Sequence, residues 1–158
     1  MISGGGQERG FRAGTESVAL ACAMAEALEW KCLHMDEIFG RIEDLWLEMA
    51  TQLYPFKPVL FNCVKNCSPY ILNVSFPGVE GSALALMLSK RGVMVSTGAA
   101  CTTGDNAPSH VLMAMYGDEA RARSAIRISF SWDTTPSDVA TAAEKIVECV
   151  NFLRGIGA

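Results

Sequence analysis

From Glu16 to about Leu53, apolar side chains recur every three or four positions: Val18, Cys22, Ala25, Leu28, Cys32, Met35, Phe39, Ile42, Leu45, Met49 and Leu53. That period predicts one long amphipathic helix, kinked near Gly40. At 1.5 Å per residue it would run about 55 Å, more than one small domain needs and enough to link two. Tyr54-Pro55-Phe56-Lys57-Pro58 stops it, and Val59–Asn62 reads as a short strand. The period then falls to two. Tyr70–Phe76 alternates with Tyr70, Leu72, Val74 and Phe76 inward, and Ser124–Ser131 alternates with Ile126, Ile128 and Phe130 inward. Between these runs, Ser82–Lys90 predicts a helix stopped by Gly92, Val93–Ser96 a strand, and Ser109–Gly117 a short helix. Thr135 as N-cap, Pro136 at the first helical position and Asp138 at the positive end open a last helix. Its buried stripe is Val139, Ala143, Ile146, Val150 and Leu153.

Half of the 158 residues are hydrophobic and 19% are charged, the composition of a globular domain. A net charge of −4 leaves no basic stripe with which to displace counterions, so nucleic acid is not the expected partner. No run approaches the ~20 apolar residues that span a bilayer, so no membrane partner is expected. Met1–Gly6 lacks the charged and apolar regions of a signal peptide, which predicts a cytoplasmic protein. Six cysteines (22, 32, 63, 67, 101 and 149) are then read as reduced thiols. Cys22, Cys32 and Cys149 lie in helical patterns and are expected to fill core. Cys63 and Cys67 form a C-x₃-C pair, which is half a zinc site with no second pair at matching spacing.

Three stretches carry candidate chemistry. Ser96-Thr97-Gly98-Ala99-Ala100-Cys101-Thr102-Thr103-Gly104 surrounds one thiol with small residues, which let a reagent approach. Cys101 is therefore a candidate nucleophile, against the alternative of a small buried hydrophobe. Gly4–Thr15 combines five glycines, two arginines and a threonine, a mixture suited to phosphate or carboxylate contact, against the alternative of a loose tail. Arg127 stands among small hydroxyl residues on one strand face, where it could grip a carboxylate through its planar fork or be a plain surface charge. His110 could pair with Cys101, but an exposed or helix-capping histidine is the better reading.

Ser96–Thr102 resembles the active-site loop of the NifS/IscS-type cysteine desulfurases, commonly written S-S-G-S-A-C-T. Gly4–Thr15 is similar to their G-G-G-x-E-R-G-x-R-x-G-T block, Ile71–Phe76 to their I-L-N-V-S-F run, and the stretch around Arg127 to their S-x-R-x-S-x run. Four blocks in the family's order span essentially the whole chain, which is identified as a member: the C-terminal part of such an enzyme, of the class V aminotransferase family. The resemblance implies an α/β (α+β) fold, the small C-terminal domain of the pyridoxal-phosphate-dependent aminotransferase-like architecture. Its sheet would be mostly antiparallel, packed by helices and preceded by a long linking helix. Residues 1–30 would close the cofactor-binding large domain and residues 31–158 would form the small domain.

The implied activity is conversion of L-cysteine to L-alanine with pyridoxal 5′-phosphate as cofactor. Sulfur would leave as a persulfide on Cys101, bound for an acceptor such as an iron–sulfur scaffold protein or a tRNA-thiolation enzyme. By the same resemblance Arg127 grips the substrate carboxylate, and Thr15 reaches the cofactor phosphate of the other subunit in a homodimer. The family's cofactor lysine sits in a His-Lys motif, and no such dipeptide occurs here. The chain is thus expected to be inactive alone, and the alternative function is a non-catalytic sulfur carrier or partner-docking domain.

Overall fold

The computed structural model describes residues 3–98 and 108–156. Two compact units are present, residues 1–37 and 38–158. The first holds a 3₁₀ turn, Gln7–Gly10, and helix α1, Val18–Leu33. Helix α2, Met35–Leu53, begins two residues later and carries the chain into the second unit. The single long helix expected from the period is therefore two helices, and the break falls at His34 rather than near Gly40. The His34 backbone leaves helical geometry (φ −109°, ψ 8°), and both its N–H (3.2 Å) and ring Nδ1 (2.8 Å) engage the Trp30 carbonyl. Asp36 and Glu37 then occupy the positive first turn of α2, and Lys31 the negative last turn of α1. These charges favour a stop and a fresh start.

No residue of α1 is buried. Cys22 and Cys32, expected in a core, are exposed with Val18, Leu20, Met24 and Leu28. The helix is apolar nearly all round, so a spacing of three or four could be found on any face. α2 behaves as its pattern demands: Ile42, Leu45, Met49 and Leu53 are buried, with Ile38 taking the inward place expected of Phe39.

The second unit is a two-layer α/β domain. Strands β1 (Leu60–Phe61), β2 (Ile71–Ser75) and β3 (Ala125–Ser129) form an antiparallel sheet in the order β1-β2-β3. One face carries Leu72, Val74, Ile126 and Ile128 into a core shared with α2, helix α3 (Gly81–Lys90) and helix α6 (Pro136–Ile156). α6 starts where its capping residues predict: the Asp138 carboxylate accepts from the Thr135 N–H (2.9 Å) and hydroxyl (2.6 Å), and the Asp138 N–H donates back to Thr135 Oγ1 (3.2 Å). Its stripe adds the buried Cys149 to Val139, Ala143, Ile146 and Val150.

At its opposite end the second face is covered by α4 (His110–Tyr116) and by a short helix that the apolar period does not predict, α5 (Glu119–Arg123). Leu112, Ala122 and Ala125 form a small second core there. Ile71 and Ser129, at the other end of that face, are exposed.

α3 meets β3 at Gly81. A methyl at this position would lie 2.7 Å from the Ala125 carbonyl oxygen and 2.8 Å from that of Arg123, and neither backbone atom can swing aside. Gly81→Ala should therefore cost about 1–3 kcal/mol of unfolding free energy, read from the denaturant midpoint at unchanged slope. An unaltered midpoint would show that the helix–strand contact is looser than described.

Candidate active site

Arg127 sits in the middle of β3. Its register partner on β2 is Asn73. On its other side, its N–H donates to the Ser96 carbonyl (2.7 Å) and its carbonyl accepts from the Ser96 N–H (3.1 Å). The strand expected over Val93–Ser96 is thus reduced to one bridge, Ser96 with Arg127. That bridge has a consequence for the site. It joins the arginine directly to the segment that precedes Cys101 in the chain. Gly98, with φ at +67°, takes the left-handed turn that a side chain would resist.

Cys101 lies outside the described residues, as do all of residues 99–107. The chain resumes at Pro108, and Ser109 caps α4 by accepting from the Leu112 N–H at 3.4 Å. His110 is exposed at the first position of α4.

The Arg127 side chain is half-buried and, among the described residues, has no hydrogen-bond or ion-pair partner. It shares its sheet face with Asn73, Ser75 and Ser129, since paired and alternate positions of a sheet project to one side. Beside it lies a polar network that reading the sequence did not single out. Arg121 Nε donates to Asn62 Oδ1 (2.7 Å), and Asn62 Nδ2 donates to Asn73 Oδ1 and to Ser75 Oγ (both 2.7 Å). Ser75 Oγ donates to the Arg121 carbonyl (2.8 Å), which also accepts from Ser124 Oγ (3.1 Å). The Arg121 guanidinium carbon stacks 3.5 Å over the centre of the Tyr116 ring. Asn62, Ser75 and Ser124 are buried, and each is satisfied by this network. In the sequence Asn73 and Ser75 read as the ordinary polar positions of an alternating strand and Asn62 as the residue after β1, so no pattern announces the network.

Thr15 is exposed, three residues before α1. Ser17, not Thr15, occupies the N-cap position, without a side-chain bond to the helix. Arg12 organises this approach: its Nη1 donates to the carbonyls of Gly14 (3.0 Å) and Thr15 (3.4 Å), and its Nη2 pairs with Glu16. Glu8 (φ 50°) and Arg9 (φ 56°) both hold left-handed backbone, a costly state for two successive non-glycine residues.

Cys63 and Cys67 interact with each other. Burial, then the neighbouring Cys67, pushes the Cys63 thiol up to about 11. At neutral pH it is protonated, which opposes metal binding, since the thiolate is the ligand. Among the described residues no three histidine, cysteine, aspartate or glutamate side chains gather as a metal site. Among the same residues no helix is long and apolar enough to cross a membrane.

The second unit is thus a small antiparallel α/β domain whose sheet holds an arginine with no side-chain partner among the described residues, bridged through its backbone to the segment that precedes Cys101. Residues 3–141 match the model of the aminotransferase class-V family, and the chain belongs to that family. A cysteine desulfurase of Gluconacetobacter diazotrophicus is 40% identical over 141 residues, 88% of this chain and 35% of that protein. A cysteine desulfurase IscS of Pseudomonas putida (strain GB-1) is 37% identical over 155 residues, 98% of this chain and 38% of its own length. A NifS-like protein of known structure superposes with a TM-score of 0.81 at 33% identity, over 96% of this chain and 39% of its own. The chain thus spans about two fifths of the length of the relatives it matches.

Proposed function

We propose that this chain carries the sulfur-accepting and carboxylate-binding part of a pyridoxal-phosphate-dependent cysteine desulfurase. The observation that carries this reading is the reciprocal Ser96–Arg127 backbone bridge. It ties a guanidinium with no described partner to a segment whose thiol follows five residues later. Arg127 holds the carboxylate of L-cysteine through its fork of N–H donors, which fixes the substrate's orientation. Cys101, as thiolate, attacks the substrate sulfur: the S–S bond forms as the substrate C–S bond breaks, leaving a persulfide on Cys101 and alanine as the other product. The cofactor, when bound, supplies an electron sink for the carbon framework.

The residues toward the cofactor fit one phosphate contact. The Thr15 hydroxyl is exposed and has no hydrogen-bond partner among the described residues, while Arg12 fixes the backbone around it. In this reading Thr15 donates to the cofactor phosphate across a homodimer interface. Residues 1–30 close the cofactor-binding domain, and residues 31–158 form the small domain. The apolar, exposed α1 fits that assignment, because a helix apolar all round belongs inside a larger body. The cofactor's lysine is not in this chain: Lys31, Lys57, Lys65, Lys90 and Lys145 all lack a preceding histidine, and Lys145 instead donates to the Arg91 carbonyl at 2.8 Å. The acceptor of the persulfide is a cytoplasmic sulfur-receiving protein of the iron–sulfur scaffold or tRNA-thiolation type.

The test is a reconstituted enzyme that includes this chain and the lysine-bearing segment, given L-cysteine and a thiol reductant. Alanine and sulfide should appear in equal amounts. Sulfide without alanine, or neither product, would favour a carrier or docking domain instead.

A further inference from the structure

The polarity of the buried amide network can be read unambiguously, and it ends beside Arg127. An arginine side chain has only donors, so the Asn62 atom facing Arg121 Nε must be its oxygen. Asn62 therefore turns its Nδ2 toward Asn73 and Ser75. The Ser75 hydroxyl hydrogen is already committed to the Arg121 carbonyl, so Ser75 Oγ is free to accept from Asn62. Asn73 in turn must present its oxygen to Asn62. Its own Nδ2 is left as a pair of donors with no partner among the described residues.

Where those donors stand follows from the ladder. Both backbone polar groups of Arg127 turn to Ser96, and the Asn73 carbonyl accepts from the Asn62 N–H (2.9 Å) on the β1 side. Asn73 and Arg127 are therefore a non-hydrogen-bonded cross-strand pair, the kind with Cα atoms only about 4.5 Å apart and side chains closest. They project from the same face. An amide whose donors are left over, next to a guanidinium that has no partner among the described residues either, makes one anion cradle with donors of two kinds.

We propose that Asn73 is a second substrate-carboxylate ligand, donating through Nδ2 to the anion that Arg127 holds, and that Asn62 and Arg121 are positioning residues that lock its amide in the donating orientation. The inference rests on the assignment of Arg127 to the substrate carboxylate. It adds a neutral donor, which sharpens orientation without adding charge. It also gives Arg121 a role at a distance: its Nε fixes one amide, and that amide fixes the next.

The experiment is a ¹⁵N NMR titration of the 158-residue chain with L-alanine, a probe that carries the substrate's α-amino acid group without its thiol. The Arg127 Nε–H and Asn73 Nδ2 signals should move together along one binding curve. Asn73→Ala should weaken binding about ten-fold, the usual worth of one hydrogen bond to a charged group. Asn73→Asp should be worse than Asn73→Ala, because a carboxylate there pairs with Arg127 and repels the ligand. A purely structural Asn73 gives the opposite order, since Asp keeps the acceptor that Asn62 needs. Arg121→Gln should weaken binding as much as Asn73→Ala, and Arg121→Lys, which retains one donor to Asn62, should recover part of it. If Arg127 moves while Asn73 is silent and Asn73→Asp is the milder change, the proposal is overturned and the Arg127 assignment survives. If Arg127→Ala titrates like the parent, or neither signal moves, both fall.

Discussion

Cys101→Ala should abolish sulfur transfer while leaving the cofactor's absorption band intact. In the reconstituted enzyme the rate of alanine formation from L-cysteine should fall on the order of a thousand-fold or more, about 4 kcal/mol of barrier, because the attacking atom is gone. Of the thiols in the described part of the chain, burial raises the pKa of Cys149 and pushes Cys63 up to about 11, while Cys22, Cys32 and Cys67 are exposed and serve as internal controls in the same assay. Cys101→Ser should be nearly as inactive, since a hydroxyl is a far poorer nucleophile at neutral pH. Full sulfur delivery by either variant would show that another group accepts the sulfur.

Arg127→Ala should act on substrate binding rather than on the thiol. Two charge-assisted hydrogen bonds to a carboxylate are worth roughly 3–4 kcal/mol together, so kcat/KM for L-cysteine should drop by at least about a hundred-fold, mostly through KM. Arg127→Lys keeps the charge and loses the planar fork, and should sit between, about ten-fold down. The strand should tolerate both changes, because the guanidinium has no described partner and the Ser96 bridge uses only backbone. Unchanged KM in Arg127→Ala would remove the arginine from the site.

The same residues show what could be read from the chain in advance. β2 and β3 were legible because Leu72, Val74, Ile126 and Ile128 alternate with polar neighbours and one face is fully buried. The start of α6 was legible because Thr135, Pro136 and Asp138 each have a single mechanical use at a helix N-terminus. The His34 break was not, because its marks are a non-helical backbone at His34 and a ring nitrogen that shares the Trp30 carbonyl with the His34 N–H, which no apolar period records. α5 escaped because five residues hold too little periodicity, and Asp118 alone announces it by accepting from the Arg121 N–H at 3.0 Å. α1 misled for the opposite reason: a helix with apolar residues on every side satisfies any stripe one draws.

In the site, Arg127 stood out as one cation among hydroxyls, and Cys101 as a thiol among small residues. Asn73 did not. Its amide is oriented by Asn62, 11 positions away in sequence, which Arg121, 48 positions away, orients in turn, and only the fold brings the three together. Thr15 was singled out by its glycine-rich block, and it stands two residues before the Ser17 N-cap. The turn at Glu8 and Arg9 and the Arg12 clasp set that approach.

If sulfur from L-cysteine comes to rest on Cys101, peptide-resolved mass spectrometry will find it there. The sample is the reconstituted enzyme, with all six cysteines present, after one turnover without reductant. The added mass of one sulfur atom should fall on the peptide carrying Cys101 and on no other. The same mass on the Cys63–Cys67 peptide, or on none, would place the sulfur elsewhere and remove Cys101 as its acceptor.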